Sequence, residues 1–187
     1  MMVNAKQHIG LLTLILLLVA VHPASAQRTL SGQSALGLSA RYNGTSVGAE
    51  AFFSQYTLNG YWQAGITGDL FDVPLSAGVE MDYLDVSLKG GYAYRLTGAR
   101  SRSVNLYGGG GVFAGVEWMD PEIKLPGYID IGLPSVVFLY GIYARAMVEV
   151  FMGTRMALTL SGEVPVNFSS KITMLHWGVL AGIKILL

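Results

Sequence analysis

The side chains best suited to bond-breaking chemistry in this sequence are one imidazole and a scatter of serines. His8 and His22 fall in an N-terminal segment with the form of an export signal, which leaves His176 as the one histidine of the exported chain. With Ser39, Ser87 or Ser161 it could supply the base of a nucleophilic pair, as in lipid hydrolases. That chemistry needs nucleophile, base and orienting group within hydrogen-bond reach, and no spacing in the sequence demands it. Gly108-Gly109-Gly110-Gly111 invites comparison with a phosphate-cradling loop. Such a loop runs from strand to helix through Lys and Ser/Thr, whereas here a strand pattern continues through the glycines, so close backbone packing or strand curvature is the reading. Asp120, Glu122 and Asp130 could offer oxygens to a divalent cation. They lie among Pro121, Pro126 and Pro134, and read as a solvated, proline-stiffened loop suited to contact. Asn43-Gly44-Thr45 and Asn167-Phe168-Ser169 fit a glycosylation acceptor pattern that short sequences match by chance. The sequence contains no cysteine, which excludes disulfides, thiolate metal sites, cysteine nucleophiles and a cysteine-linked lipid anchor. No catalytic residue, cofactor, metal site or small-molecule substrate is expected.

Composition explains why polar chemistry is so sparse. Only 13% of the 187 residues are charged and 52% are hydrophobic, against roughly 25% charged in a soluble domain. The net charge is zero and no basic run occurs, so direct nucleic-acid binding is not expected. The 24 glycines and 10 tyrosines favour strands and turns over long helices. At the N-terminus, Lys6, the apolar run Ile9 to Val21 and the small-residue site Ala24-Ser25-Ala26 form a secretory signal. About 13 apolar residues are too few for a helical span, which needs roughly 20. Cleavage after Ala26 leaves residues 27–187 as a single domain.

Within that domain the hydrophobic pattern has a period of two. Trp177, Val179, Ala181, Ile183 and Ile185 alternate with Gly178, Leu180, Gly182 and Lys184. Val112, Ala114, Val116 and Trp118 alternate with Phe113 and Glu117. Similar alternation marks eight strands near 34–42, 45–56, 61–72, 82–96, 104–118, 137–151, 155–164 and 173–187. Connections near 73–81, 119–136 and 165–172 are longer than those at 57–60, 97–103 and 152–154. This long–short alternation and the even strand number predict an all-β fold, a single eight-stranded antiparallel transmembrane β-barrel. Aromatic residues near strand ends (Tyr42, Trp62, Tyr94, Trp118, Phe138, Tyr140, Trp177) suit the two membrane interfaces, and the low charge argues against a soluble barrel of the same size.

The charges obey the same parity. Arg41, Lys89, Arg95, Arg145, Arg155 and Lys184 fall on the polar face, together with Glu50, Asp69, Asp85, Glu117, Glu149 and Glu163. Six cations and six anions turned inward predict a paired lumen network, because isolated buried charges are costly. Eight strands leave an interior that side chains fill, so a diffusion pore is not expected.

Three stretches extend the reading past fold. They are Ala26-Gln27-Arg28-Thr29-Leu30-Ser31-Gly32-Gln33; the pair Gly90-Gly91-Tyr92-Ala93-Tyr94-Arg95-Leu96 and Val104-Asn105-Leu106-Tyr107-Gly108-Gly109-Gly110, with Ala114-Gly115-Val116-Glu117; and Tyr140-Gly141, Glu149 and Arg155-Met156-Ala157-Leu158. Together they resemble the conjugal transfer protein TraO family of Bacteroidetes conjugative transposons. The resemblance implies an outer-membrane component of a mating apparatus that moves element DNA between cells, with outer-membrane lipid and other transfer proteins as partners and no catalytic residues. A small outer-membrane barrel serving adhesion or membrane integrity is the alternative.

Overall fold

The computed structural model describes residues 31–75, 79–97, 103–119, 136–169 and 177–187. The expected signal segment at 1–26, residues 120–135 of the contact loop expected at 119–136, and His176 lie outside these residues. Eight strands follow in order: β1 Ser34–Tyr42, β2 Ser46–Tyr56, β3 Gly60–Leu75, β4 Val79–Arg95, β5 Val104–Met119, β6 Val136–Met152, β7 Met156–Asn167 and β8 Gly178–Leu186. Each pairs antiparallel with its sequence neighbours. β8 returns to β1 through Ala35↔Leu186 to Tyr42↔Val179, closing the barrel without a free edge.

Alternation decides which face turns in. On β6 the burial pattern swings residue by residue, with Ile142 47% exposed between buried Gly141 and Tyr143. Between the strand ends the outward set is Leu, Val, Ile, Met, aromatic, Ala and Gly, and the inward set carries the charges of the strand residues whose side chains are described. A face of exposed large apolar side chains around the whole circumference is stable only where hydrocarbon surrounds it, and a closed barrel leaves no strand-edge amide unsatisfied there. Local turns set the register. Asn43 Oδ1 accepts from the backbone amides of Thr45 at 3.0 Å and Ser46 at 2.6 Å, while Gly44 takes φ +92°, a conformation that a residue with a Cβ rarely adopts.

The strands are unequal. β1 and β8 have 9 residues each, whereas β3 to β6 have 16 or 17. The loop expected at 73–81 is mostly strand, with Val73↔Met81, Pro74↔Glu80 and Leu75↔Val79 in register. β2 stops at Ser46↔Phe71, so this hairpin tip has no second neighbour on that side, and a proline is tolerated where no further ladder must be satisfied.

A compact barrel of this kind resists detergent until heated. The protein is expected in outer-membrane fractions and to migrate differently in unboiled and boiled gel samples. Recovery in the soluble periplasm would overturn the membrane-facing reading of the outer surface.

Candidate functional site

The charges occupy three levels of the lumen. In the middle, Arg145 on β6 reaches across to β2, donating from Nη1 to Glu50 Oε1 at 3.1 Å and from Nη2 to Glu50 Oε2 at 2.6 Å. It also donates from Nε to Glu163 Oε2 at 2.8 Å, with Nη2 closing on the same oxygen. Glu163 lies beside it in register on β7. Its other oxygen takes Lys89 Nζ at 2.6 Å and Arg41 Nη2 at 3.3 Å. Three cations from β1, β4 and β6 therefore converge on one carboxylate that is 1% exposed. Gln63 donates to Glu50 at 2.8 Å, and Arg41 Nη1 pairs with Asp69 at 3.1 Å. Gly178, the register neighbour of Glu163 on β8, makes this possible, because a Cβ there would sit 2.9 Å from Arg41 Nε.

Toward the end that carries the termini, the lumen is plugged by apolar and aromatic side chains: Tyr56, Tyr61, Tyr107, Met147, Phe151 and Leu186. The rings meet edge to face, Tyr56–Tyr61 at 5.6 Å and Tyr61–Tyr107 at 4.9 Å between centroids. Into this cluster β8 inserts Lys184, fully buried, with Nζ 3.9 Å from the Tyr61 ring centroid and 3.1 Å from Glu149 Oε1. Tyr56 donates its hydroxyl to the same Glu149 oxygen at 2.5 Å. Arg95 stacks its guanidinium 5.8 Å from the Tyr107 ring. The sequence reading missed this aromatic seat, although Tyr56 and Tyr61 share the inward parity of Ser54 and Gln63 and could have been placed by extending the alternation.

At the opposite end Asp69, Asp85 and Glu117 stand side by side across β3, β4 and β5. Asp69 has Arg41; among the described residues Asp85 and Glu117 have no ion-pair partner. One expected cation is not in the lumen. Arg155 was placed on the inward face, but β7 begins at Met156 and the register Met152↔Met156 closes a tight turn over 153–155. Gly153 at φ +78° turns the chain, so Arg155 is exposed at the rim. With Arg155 removed from the six expected cations, five face six anions.

The serines and glycines singled out in the sequence take packing positions. Ser39 and Ser161 are buried on the inner wall and Ser87 is half-buried; His176 lies outside the described residues. No group of three or more His, Asp or Glu among those residues is placed to hold a metal ion. Gly108 to Gly111 run inside β5, with Gly91↔Gly111 and Gly111↔Tyr143 in register. Such glycines let inward rings fit: a Cβ on Gly91 would lie 2.6 Å from the Tyr143 hydroxyl.

Comparison with known proteins agrees with this architecture. The family model described as "Conjugative transposon protein TraO" matches residues 77–187, which span β4 to β8. No curated protein sequence matches the chain. Among solved structures it is similar to the outer membrane protein OprG of Pseudomonas aeruginosa, with TM-score 0.62 and 9% identity over 88% of this chain and 99% of that one. It is also similar to Neisserial surface protein A, with TM-score 0.56 and 12% identity over 82% and 94%. A third is Ail, the attachment invasion locus protein of Yersinia pestis, with TM-score 0.52 and 13% identity over 84% and 100%. At these identities the likeness is one of fold.

Proposed function

This chain belongs to the conjugative transposon protein TraO family and forms an outer-membrane β-barrel, and from that premise we propose that it is a structural, non-catalytic part of the apparatus that passes transposon DNA between cells. The observation that carries the non-conducting part of this reading is the Arg145–Glu50–Glu163 crossing. Two ion pairs, Arg145–Glu50 and Lys89–Glu163, span the lumen at mid-height, and the aromatic plug closes the space below them. A nucleic-acid strand has no route through such an interior, since eight strands enclose only their own side chains. The barrel then serves by holding a place in the membrane and by what its connections touch.

The working surface proposed is the longest connection, residues 120–135, which joins β5 to β6 at the end opposite the termini. Asp120, Pro121, Glu122, Pro126, Asp130 and Pro134 suit a stiffened acidic contact segment for other transfer proteins. With short turns in the periplasm, this connection faces outward. Replacing 120–135 with a tight turn is expected to leave the heat-dependent gel shift intact and to lower donor-to-recipient transfer frequency at least tenfold. Normal transfer by donors lacking the whole chain would sink the apparatus role. Loss in that strain but normal transfer with the shortened loop would reject only the loop.

A further inference from the structure

The outward apolar surface is not a belt of constant height. On β1 it runs from Leu36 to Tyr42 and on β2 from Val47 to Phe53, six residue steps each. Polar residues bound it there: Ser34 and Gln55 below, and the Asn43-Gly44-Thr45 turn above. On β5 the same surface runs from Val104 to Trp118, and on β6 from Val136 to Met152, with only apolar residues and glycine at the outward positions between. A strand rising about 3.3 Å per residue at a tilt near 40° gains roughly 2.5 Å of barrel height per residue. The apolar wall is therefore about 15 Å tall on β1 and β2 and about 35 to 40 Å on β5 and β6, by the same conversion. β3, β4, β7 and β8 fall between, at roughly 20 to 30 Å. In a ring ordered β1 to β8, β5–β6 lie diametrically opposite β1–β2, so the height changes smoothly around the circumference.

We propose that the barrel acts as a wedge on lipid, thinning the outer membrane beside β1–β2 and thickening it beside β5–β6. A typical apolar band is about 25 Å tall. One wall falls short of that and the opposite wall exceeds it. Tilting a rigid barrel moves both boundaries of a wall together and leaves its height unchanged, so tilt cannot remove the difference. The occupant of the surplus on β5–β6 is hydrocarbon, because Trp118, Val136 and Phe138 continue without a polar break into the lipid-facing Ala114 and Ile142. Bilayers meet such mismatch by stretching or thinning locally at a modest cost per ångström. The inference rests on the membrane placement of the barrel and not on its role in transfer.

The absence of cysteine allows single labels. Thr45→Cys and Gln55→Cys bracket the short wall, Phe138→Cys and Val150→Cys lie near the ends of the tall wall, and Ala114→Cys marks mid-wall. Each full-length variant is labelled with an environment-sensitive fluorophore and folded into phosphatidylcholine vesicles, and quenching by nitroxide-bearing lipid is compared with quenching by aqueous iodide. The expected result is at least threefold stronger lipid quenching at Phe138, Val150 and Ala114, and the reverse preference at Thr45 and Gln55. Tyr140→Cys replaces the Phe138 variant should that one fail to insert. An iodide-accessible Phe138 label, or one shielded from both quenchers by a second protein copy, overturns the wedge. Lipid quenching at Thr45 and Gln55 overturns it too. Aqueous exposure at Ala114 removes the membrane placement itself, and the wedge with it.

Discussion

Arg145→Ala is expected to destabilise the folded barrel by about 3–5 kcal/mol, the usual cost of removing one partner from a buried ion pair. The guanidinium makes four hydrogen bonds to Glu50 and Glu163. Its loss leaves Glu50, fully buried, with the Gln63 amide as its one remaining side-chain partner among the described residues. Glu163 keeps Lys89 and Arg41, so the larger part of the penalty falls on Glu50. Arg145→Lys should recover some of the loss but not all, because an ammonium cannot hold both carboxylates in a planar fork. Ile142→Ala, three residues away on the lipid face, should cost about 1 kcal/mol, since acyl chains fill the space that a core cavity would leave empty. Urea unfolding from vesicles measures both. Equal and small effects would mean that the two faces are assigned the wrong way round.

The second large effect is expected at Lys184. Lys184→Met leaves Glu149, fully buried, with the Tyr56 hydroxyl as its strongest remaining contact, and should cost about 3 kcal/mol. Adding Glu149→Leu to that variant removes the stranded charge. Most of the loss should then return, because replacing both members of a buried pair by apolar groups is often close to neutral. The double-mutant cycle should give a coupling of about 2 kcal/mol. A coupling below about 0.5 kcal/mol would show that Lys184 acts through its aromatic contacts alone.

Alternation made the barrel legible because a closed membrane sheet has two environments and every strand residue must choose one. Eight strands, their order and the inward side of eleven charges follow from that choice. What the sequence does not carry is who meets whom inside. Arg145 and Glu50 lie 95 positions apart, and only the register and curvature of four intervening ladders bring them together. Parity misplaces Arg155 because it extends one residue before the start of β7, into a turn where inward and outward lose meaning. The β3–β4 tip reads as a connection near 73–81 in sequence, and its Pro74 is compatible with the strand pairing found there. Paired strands beyond the end of a neighbour may carry such residues without breaking the ladder.

The lumen contacts also set how the chain can fold. Glu50 of β2 needs Arg145 of β6, Lys89 of β4 needs Glu163 of β7, and Tyr56 of β2 needs Glu149 of β6, at separations of 95, 74 and 93 residues. Each half pairs some charges internally, Arg41 with Asp69 in the first four strands and Arg145 with Glu163 and Lys184 with Glu149 in the last four, but the ion partners of Glu50 and Lys89 come from the other half. A half-built sheet entering hydrocarbon would carry unmatched carboxylates and amines with it. Closure is therefore expected late in folding, and contacts this distant in sequence are expected to slow it. Until the barrel closes, the apolar outer face of its strands is open to contact with other chains, and such exposed surface favours aggregation.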